Sequence, residues 1–383
     1  MKKVGLLLPK STYYFGIGYD IFQGLKSNLK RLDLENLKII TENIGFGADK
    51  QQSYRAAEKL ILDEEVDILV AYIGHRTAEL LRPLLLATNK ILIVLDAGAN
   101  LPQEWPICPN IIYHSLHNAL GASLAAQLAT KKGYHTGAMI TGYYDGGYLQ
   151  TYSLSKSFTN SGGTISFNHA TGYKQEDFSM EPLKEHLINH PNVALLSLFS
   201  GDYVQWYFEK INQLFPNKNL PIFLTPFGLE ETMLHETICP SKNIYGIASW
   251  SHLLDNEENK AFKDALNQTG KKPNLFSLLG WEVTVLLNQI INLLETHSDN
   301  IQQVISALNH FEFDSPRGKI TFYDQYNYTL APLYEVTIIA DENERCALQI
   351  QSAIEATLTE FEKMHQQELE GVTSAWYNSY VCI

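Results

Sequence analysis

Short, wholly apolar runs set between longer segments of helical period constrain this chain more than any other feature. Ile68-Leu69-Val70 and Ile91-Leu92-Ile93-Val94 have no polar residue to turn toward water. Each must be covered on both faces, as strands of a helix-flanked parallel sheet are. The same rhythm predicts strands over 4–8, 37–42, 66–73 and 91–95, with helices around 19–32, 52–63 and from about 77. A second series predicts strands over 136–141, 163–167, 194–199, 222–225 and 244–248, with helices near 118–131, 147–159, 180–189 and 203–214. Such alternation is the pattern of an α/β protein. Two series alike in order and spacing predict two similar lobes and not one large sheet.

Beyond residue 249, helical patterns at 256–268, 275–295 and 299–308 precede the turn Asp314-Ser315-Pro316-Arg317-Gly318 and a strand pair at 319–323 and 333–339. The stripe Ile350, Ile354, Leu358 and Phe361 predicts a last helix over 346–368. The aromatic end Trp376-Tyr377-Asn378-Ser379-Tyr380 is expected either to pack back on its own lobe or to form a partner surface. The lobes are expected as 1–117 plus 249–320 and 118–248 plus 321–345, with 346–383 as helix and tail and crossovers near 116–118, 247–250 and 320–330.

At 383 residues the chain exceeds one ordinary core. A net charge of -13 argues against nucleic acid or an anionic membrane as the main partner. No run of about 18 apolar residues stands out, so no membrane span is expected. Met1-Lys2-Lys3 leads directly into the apolar residues 4–8, without the h-region and cleavage site of a leader. The location is expected to be periplasmic if a leader has been removed and cytoplasmic if Met1 is native.

Enzyme signatures are poor. Gly16-Ile17-Gly18 is not completed to Gly-x-Gly-x-x-Gly, and neither Walker A nor Gly-x-Ser-x-Gly occurs. Ser27/Lys30 and Ser153/Lys156 fall on predicted helix faces, and His114/His117 and His186/His190 lack acidic companions in sequence. Cys108, Cys239, Cys346 and Cys382 form no Cys-x-x-Cys pair and read as idle thiols. The expectation is a non-enzyme without catalytic residues, cofactor or metal.

Ligands of open parallel sheets lie beyond the carboxyl ends of the strands, where loops meet helix N-termini. Here those loops are rich in small, hydroxylic and aromatic residues: 10–15, 74–78, 96–100, 143–148 and 200–203. One such loop reads as turn chemistry. Five together read as a site, with helix N–H groups for a carboxylate and tyrosines for flat walls with a polar tip.

Tyr72-Ile73-Gly74-His75 before a small-residue helix start, then Asp96-Ala97-Gly98-Ala99-Asn100, then Phe313-Asp314-Ser315-Pro316-Arg317-Gly318-Lys319-Ile320 stand in an order and spacing that resembles the branched-chain amino-acid-binding proteins of bacterial ABC transporters. The likeness runs from residue 3 to about 340. It implies the type I periplasmic-binding fold: two Rossmann-like lobes with parallel-sheet cores, joined by three crossovers and closing by a hinge on a small molecule. Carried over by position, Tyr13 or Tyr14 covers the ligand, while Thr77 and Ala78, with Ala99 and Asn100, hold its carboxylate and His75 beside them is a further ligand-binding candidate. Arg76 either adds charge there or is a solvated helix-start arginine. Tyr144 and Tyr203 match aromatic wall positions. The implied partner is an ABC permease; the alternative is a cytoplasmic sensor of the same fold that regulates a partner protein.

One position departs from the family. Phe227 stands where amino-acid-binding members carry an acidic residue that grips the ligand's ammonium. A phenyl face is a weak substitute for a carboxylate. The expected ligand is therefore a carboxylate or amide with an apolar or aromatic body, with Asp145, Asp202 or Glu230 able to restore the missing charge.

Overall fold

A computed structural model describes residues 2–380 apart from 35–36, 102–104, 217–218, 235, 356, 370 and 375, so Cys382 lies outside the described residues. The first series alternates as β1 (Lys3–Leu8), α1 (Ile17–Arg31), β2 (Lys38–Asn43), α2 (Lys50–Glu58), β3 (Ile68–Ala71), α3 (His75–Thr88), β4 (Ile91–Asp96) and β5 (Ile111–Ser115). Its strands run parallel in the order β2-β1-β3-β4-β5. All residues of β3 and β4 are buried, as their uninterrupted apolar composition requires.

The second series runs α4 (Asn118–Lys131), β6 (Thr136–Thr141), α5 (Gln150–Asn160), β7 (Thr164–Ala170), α6 (Glu181–Asn189), β8 (Ala194–Leu198), α7 (Asp202–Leu214), β9 (Ile222–Leu224), α8 (Glu231–Leu234) and β10 (Ile244–Ala248). The order β7-β6-β8-β9-β10 repeats that of the first lobe, again parallel. The chain then returns through α9 (Glu257–Asn267), α10 (Leu275–Thr296), α11 (Ile301–Leu308), β11 (Glu312–Ser315), β12 (Gly318–Tyr323) and β13 (Tyr328–Leu330), which extend the first sheet to eight strands. Finally β14 (Tyr334–Ala340) and β15 (Cys346–Ala353) extend the second sheet to seven, before α12 (Thr357–His365). Three crossings thus join the lobes: β5 to α4, β10 to α9, and β13 to β14.

Four expectations are corrected. β12 and β14, read as one strand pair, belong to different sheets, so the third crossing lies at 330–334 and not 320–330. The lobe boundary expected at 320/321 accordingly falls inside β12, and 321–330 stays with the first lobe. Residues 346–353 are a strand, not the start of a helix. Ile350 serves both a helical stripe and a period-two alternation with Cys346 and Leu348, and the open antiparallel edge of β14 decides between them. The cysteines also meet: the Cys239 and Cys346 thiols are hydrogen-bonded, which pulls the Cys239 pKa down to about 7.

α10 is long and apolar enough to cross a membrane by length and composition. It is instead the core helix of the first lobe, packed along α1 so closely that a Cβ on Gly24 would meet Ser277 O and one on Gly280 would meet Ile21 O. Of its two acidic residues, Glu282 anchors a wholly buried cluster. Arg317 donates to both carboxylate oxygens, from Nε at 2.9 Å and Nη2 at 2.7 Å, and from Nη1 to Ser115 O at 3.1 Å. His114 completes it, with Nε2 3.0 Å from Glu282 Oε2 and Nδ1 2.9 Å from Thr329 Oγ1. The histidine that seemed to lack an acidic companion finds one 168 residues away.

The Arg317 charge beside Glu282 and the His114 hydrogen bond overcome desolvation and hold its pKa down at about 2. A carboxyl whose folded pKa is depressed stabilises the fold above its unfolded value, near 4.5, and loses that contribution as pH falls toward 2. Arg317→Met leaves the buried carboxylate without its cation and should cost roughly 3–5 kcal/mol. Urea unfolding at pH 7 measures that cost.

Candidate functional site

In a sheet of order 2-1-3-4-5 the crevice forms at the β1/β3 switch point, beyond the carboxyl ends of those strands. Both lobes have this order, so their switch points present the loops after β1 and β3, and after β6 and β8. Loops of the two lobes meet across the cleft, those after β1 and β4 touching those after β6 and β8. Gly201 N donates to Tyr14 OH at 2.9 Å, and Leu149 N donates to Ala99 O at 3.1 Å. The Tyr13 ring lies edge-on to Tyr144 and Tyr203, with centroids 5.5 and 5.0 Å apart. The lobes are closed against each other.

The cleft is filled by residues 376–380 of the same chain. Ser11 Oγ donates to Tyr380 O at 3.2 Å, Tyr72 OH to Ser379 O at 3.0 Å, and Thr77 Oγ1 to Tyr377 O at 3.4 Å. Asn378 Nδ2 returns a bond to Tyr72 O at 3.2 Å. These four contacts come from the first lobe. From the second, Tyr148 OH accepts from Tyr380 N at 2.7 Å and Tyr144 O accepts from Trp376 Nε1 at 2.9 Å. Tyr380 is fully buried, its ring stacked on Phe227 at 3.6 Å and 7°. Gly74 and Gly147 allow this approach: a Cβ would overlap Tyr377 O at the first and the Trp376 ring at the second. The aromatic end therefore packs neither on one lobe nor outward, as expected, but between the two.

Most of the expected residues converge here. Thr77 binds the segment, Arg76 lies over the Tyr377 ring at 5.3 Å, and Phe227 and Tyr144 carry the Tyr380 and Trp376 rings. Tyr13, Tyr14, Tyr203 and Ala99 bridge the lobes. His75 and Ala78 do not face the segment. The His75 ring is buried beside Asp96 at 3.6 Å and Tyr328 OH at 2.9 Å, and Ala78 lies in the apolar core behind β3. Asn100 is buried at the start of the stretch leading to β5.

Sequence reasoning missed Tyr72, Asn118 and Gln150 as cleft residues. Tyr72 sits within a motif already noted. The two amides looked like ordinary helix starts of α4 and α5, and only the fold brings them together.

Two buried carboxyls adjoin the cleft. Asp145 accepts from Gln150 Nε2 at 3.1 Å and Ser200 Oγ at 3.0 Å, yet desolvation raises its pKa to about 7. Glu230 is raised to about 7 by the same cause, and its Oε1 has no hydrogen-bond partner among the described residues. Asp202, the third group considered for the missing charge, is exposed. Burial also raises the pKa values of Tyr14 and Tyr380, so both phenols stay protonated donors. An open pocket of about 370 Å³ borders the loop after β1, lined by Leu8, Lys10 and Phe15 among others. Another of about 440 Å³, lined by Trp250, His252, Cys346 and Leu348 among others, opens away from the switch-point loops.

Two doubly wound lobes, three crossings and loops converging from both switch points define a two-lobed solute-binding fold of type I. The chain belongs to the periplasmic binding protein family, whose model matches residues 2–343. No curated protein matches it. Among solved structures it is similar to a solute-binding protein of an ABC transporter from Rhodopseudomonas palustris in complex with 3,4-dihydroxybenzoic acid, with 16% identity, a TM-score of 0.75 and 92% of this chain and 97% of that chain covered. Another from the same species, in complex with 4-hydroxybenzoate, has 17% identity and a TM-score of 0.74 over 92% and 96%. A leucine binding protein from Thermotoga maritima has 12% identity and a TM-score of 0.68 over 92% and 99%.

Asp145 gives the site a pH signature. A carboxyl whose folded pKa is raised from 3.8 to about 7 favours the protonated fold, so stability falls as pH rises through that window. Between pH 5 and 7 the loss from this group alone is roughly 2 kcal/mol. Denaturant unfolding at pH 5, 6 and 7 should show that decline in the natural protein and a shallower one in Asp145→Asn.

Proposed function

We propose that the chain is a receptor that captures a small organic molecule in the interlobe cleft by hinge closure and delivers it to an ABC-type uptake system. The observation that carries this reading is the meeting of both switch points across one cleft walled by Tyr13, Tyr144, Tyr203 and Phe227. Such a site recognises by stacking and hydrogen bonding. Phe227 in place of a carboxylate favours a ligand with an aromatic body over an α-amino acid. The hydroxybenzoates bound by two similar proteins support that class. Uptake goes with a location outside the cytoplasmic membrane.

A second reading, a cytoplasmic sensor of the same fold, is favoured by the occupied cleft. A ligand that displaces residues 376–380 would free them from the lobes and so signal its own arrival.

Calorimetry on the full chain with 4-hydroxybenzoate, 3-(4-hydroxyphenyl)propanoate, leucine and 4-methyl-2-oxopentanoate tests the ligand class. The aromatic acids should bind more tightly than leucine. Micromolar binding of leucine that is lost in its keto acid would overturn the assignment.

A further inference from the structure

The contacts of Tyr380 describe more than a filled gap. Its hydroxyl donates to Gln150 Oε1 at 3.0 Å and accepts from Asn118 Nδ2. Asn118 Nδ2 also donates to Gln150 Oε1. The Gln150 amide cannot turn round without loss, because its Nε2 is held by Asp145 Oδ1 at 3.1 Å and Asp145 is held by Ser200. One acceptor and one donor therefore stand ready for a hydroxyl that is itself both, which is the hydrogen-bonding character of a phenol. The ring finds a parallel face on Phe227 and a tilted one on Tyr148, with centroids at 3.6 and 5.0 Å. Asn118, Gln150 and Phe227 are each fully buried, and Asn118 Oδ1 has no hydrogen-bond partner among the described residues. Beyond the ring, Ser11 Oγ meets the Tyr380 carbonyl from the opposite lobe.

From this geometry we propose that residues 376–380 act as a tethered self-ligand, that Tyr380 marks a subsite built for a phenol, and that an external para-substituted phenol carrying a carboxylate binds by displacing them. The proposal deepens the receptor reading and rests on it for the external ligand; the self-occupied cleft stands by itself. The segment lies outside residues 2–343, over which the family model matches, so this occupant is not part of the matched region. The compound that best copies Tyr380 from hydroxyl to carbonyl is 3-(4-hydroxyphenyl)propanoate, whose carboxylate would fall where Ser11 now holds the Tyr380 carbonyl. Its analogue without the hydroxyl, 3-phenylpropanoate, would leave Asn118 Nδ2 and Gln150 Oε1 paired with each other but each deprived of the buried hydroxyl bond. A site built to hydrogen-bond a hydroxyl rejects the analogue lacking it strongly, here by about a hundredfold or more.

A tethered competitor lowers apparent affinity by the fraction of molecules whose cleft is free. Tyr380→Ala, which removes ring and hydroxyl, should tighten 3-(4-hydroxyphenyl)propanoate binding by about tenfold or more, and Tyr380→Phe should do so to a smaller degree. Hydrogen exchange read by mass spectrometry on the full chain supplies the second readout. Residues 376–380 should exchange slowly in the free protein, faster when the phenol saturates it, and about tenfold faster in Tyr380→Phe without any ligand. Gly74→Ala, which drives a methyl group into the Tyr377 carbonyl, should release the segment while leaving the phenol subsite untouched.

Equal affinity of the natural protein and Tyr380→Ala for the phenol would overturn the self-ligand while leaving the receptor reading intact. If neither protein binds any aromatic acid, the receptor reading for that class falls, and exchange alone decides the rest. Slow exchange at 376–380, lost in Tyr380→Phe, then supports the phenol subsite. Exchange as fast as in an unstructured peptide overturns it.

Discussion

A guanidinium, a carboxylate and an imidazole without access to solvent hold the hinge side of this molecule together. Arg317 enters from the β11–β12 turn, Glu282 from α10 and His114 from β5, while Thr329 on β13 takes the far nitrogen of the imidazole. Of these elements β5 and β13 lead directly into crossings between the lobes, and the cluster ties α10 and the hairpin turn to them. A buried pair is a poor source of net stability, because desolvating both ions costs about as much as their attraction returns. Its value is geometric. The bidentate contact ties the hairpin turn to α10, and Nη1 ties it to the end of β5, beside the strand from which the chain leaves for β14. Tyr334, the first residue of β14, donates to Arg317 O at 2.6 Å and carries that restraint into the second lobe.

With the crossings anchored, the repeated strand order does the rest. Two sheets wound in the same sense and joined along one side can only present their switch points to each other. The loops after β1, β3, β6 and β8 then line one cleft from opposite walls, and their tyrosines meet edge to face. Such rings offer apolar area and a hydrogen-bonding tip at small entropic cost, since only two side-chain torsions are frozen. Within the cleft Asp145 orients the Gln150 amide, and burial keeps the Tyr14 and Tyr380 phenols protonated.

The segment at 376–380 changes what closure means here. In a receptor whose cleft is empty, a ligand bridges the lobes and draws them together. In this chain Ser11, Tyr72 and Thr77 on one side and Tyr144 and Tyr148 on the other are already bridged by their own polypeptide. On the proposed reading, the free energy of closure is shared between an internal and an external occupant. Covalent tethering gives the internal one a high effective concentration, so it can win with modest contacts.

The sequence by itself determined the α/β class, the two matching lobes and most of the switch-point loops, because uninterrupted apolar strands and loop composition are local properties. Phe227 was legible as a departure from an amino-acid site for the same reason: one side chain replaces a charge with a ring. Tertiary structure alone decided that 346–353 is a strand, since Cys346, Leu348 and Ile350 suit either period and only the open edge of β14 selects one. It alone united Asn118, Gln150 and Asp145 around a hydroxyl, a set no spacing announces because its members come from different turns of the fold. It alone placed Tyr380 in the cleft, where a long-range contact between chain end and lobe interface depends on three-dimensional closure and leaves no periodic trace in the sequence.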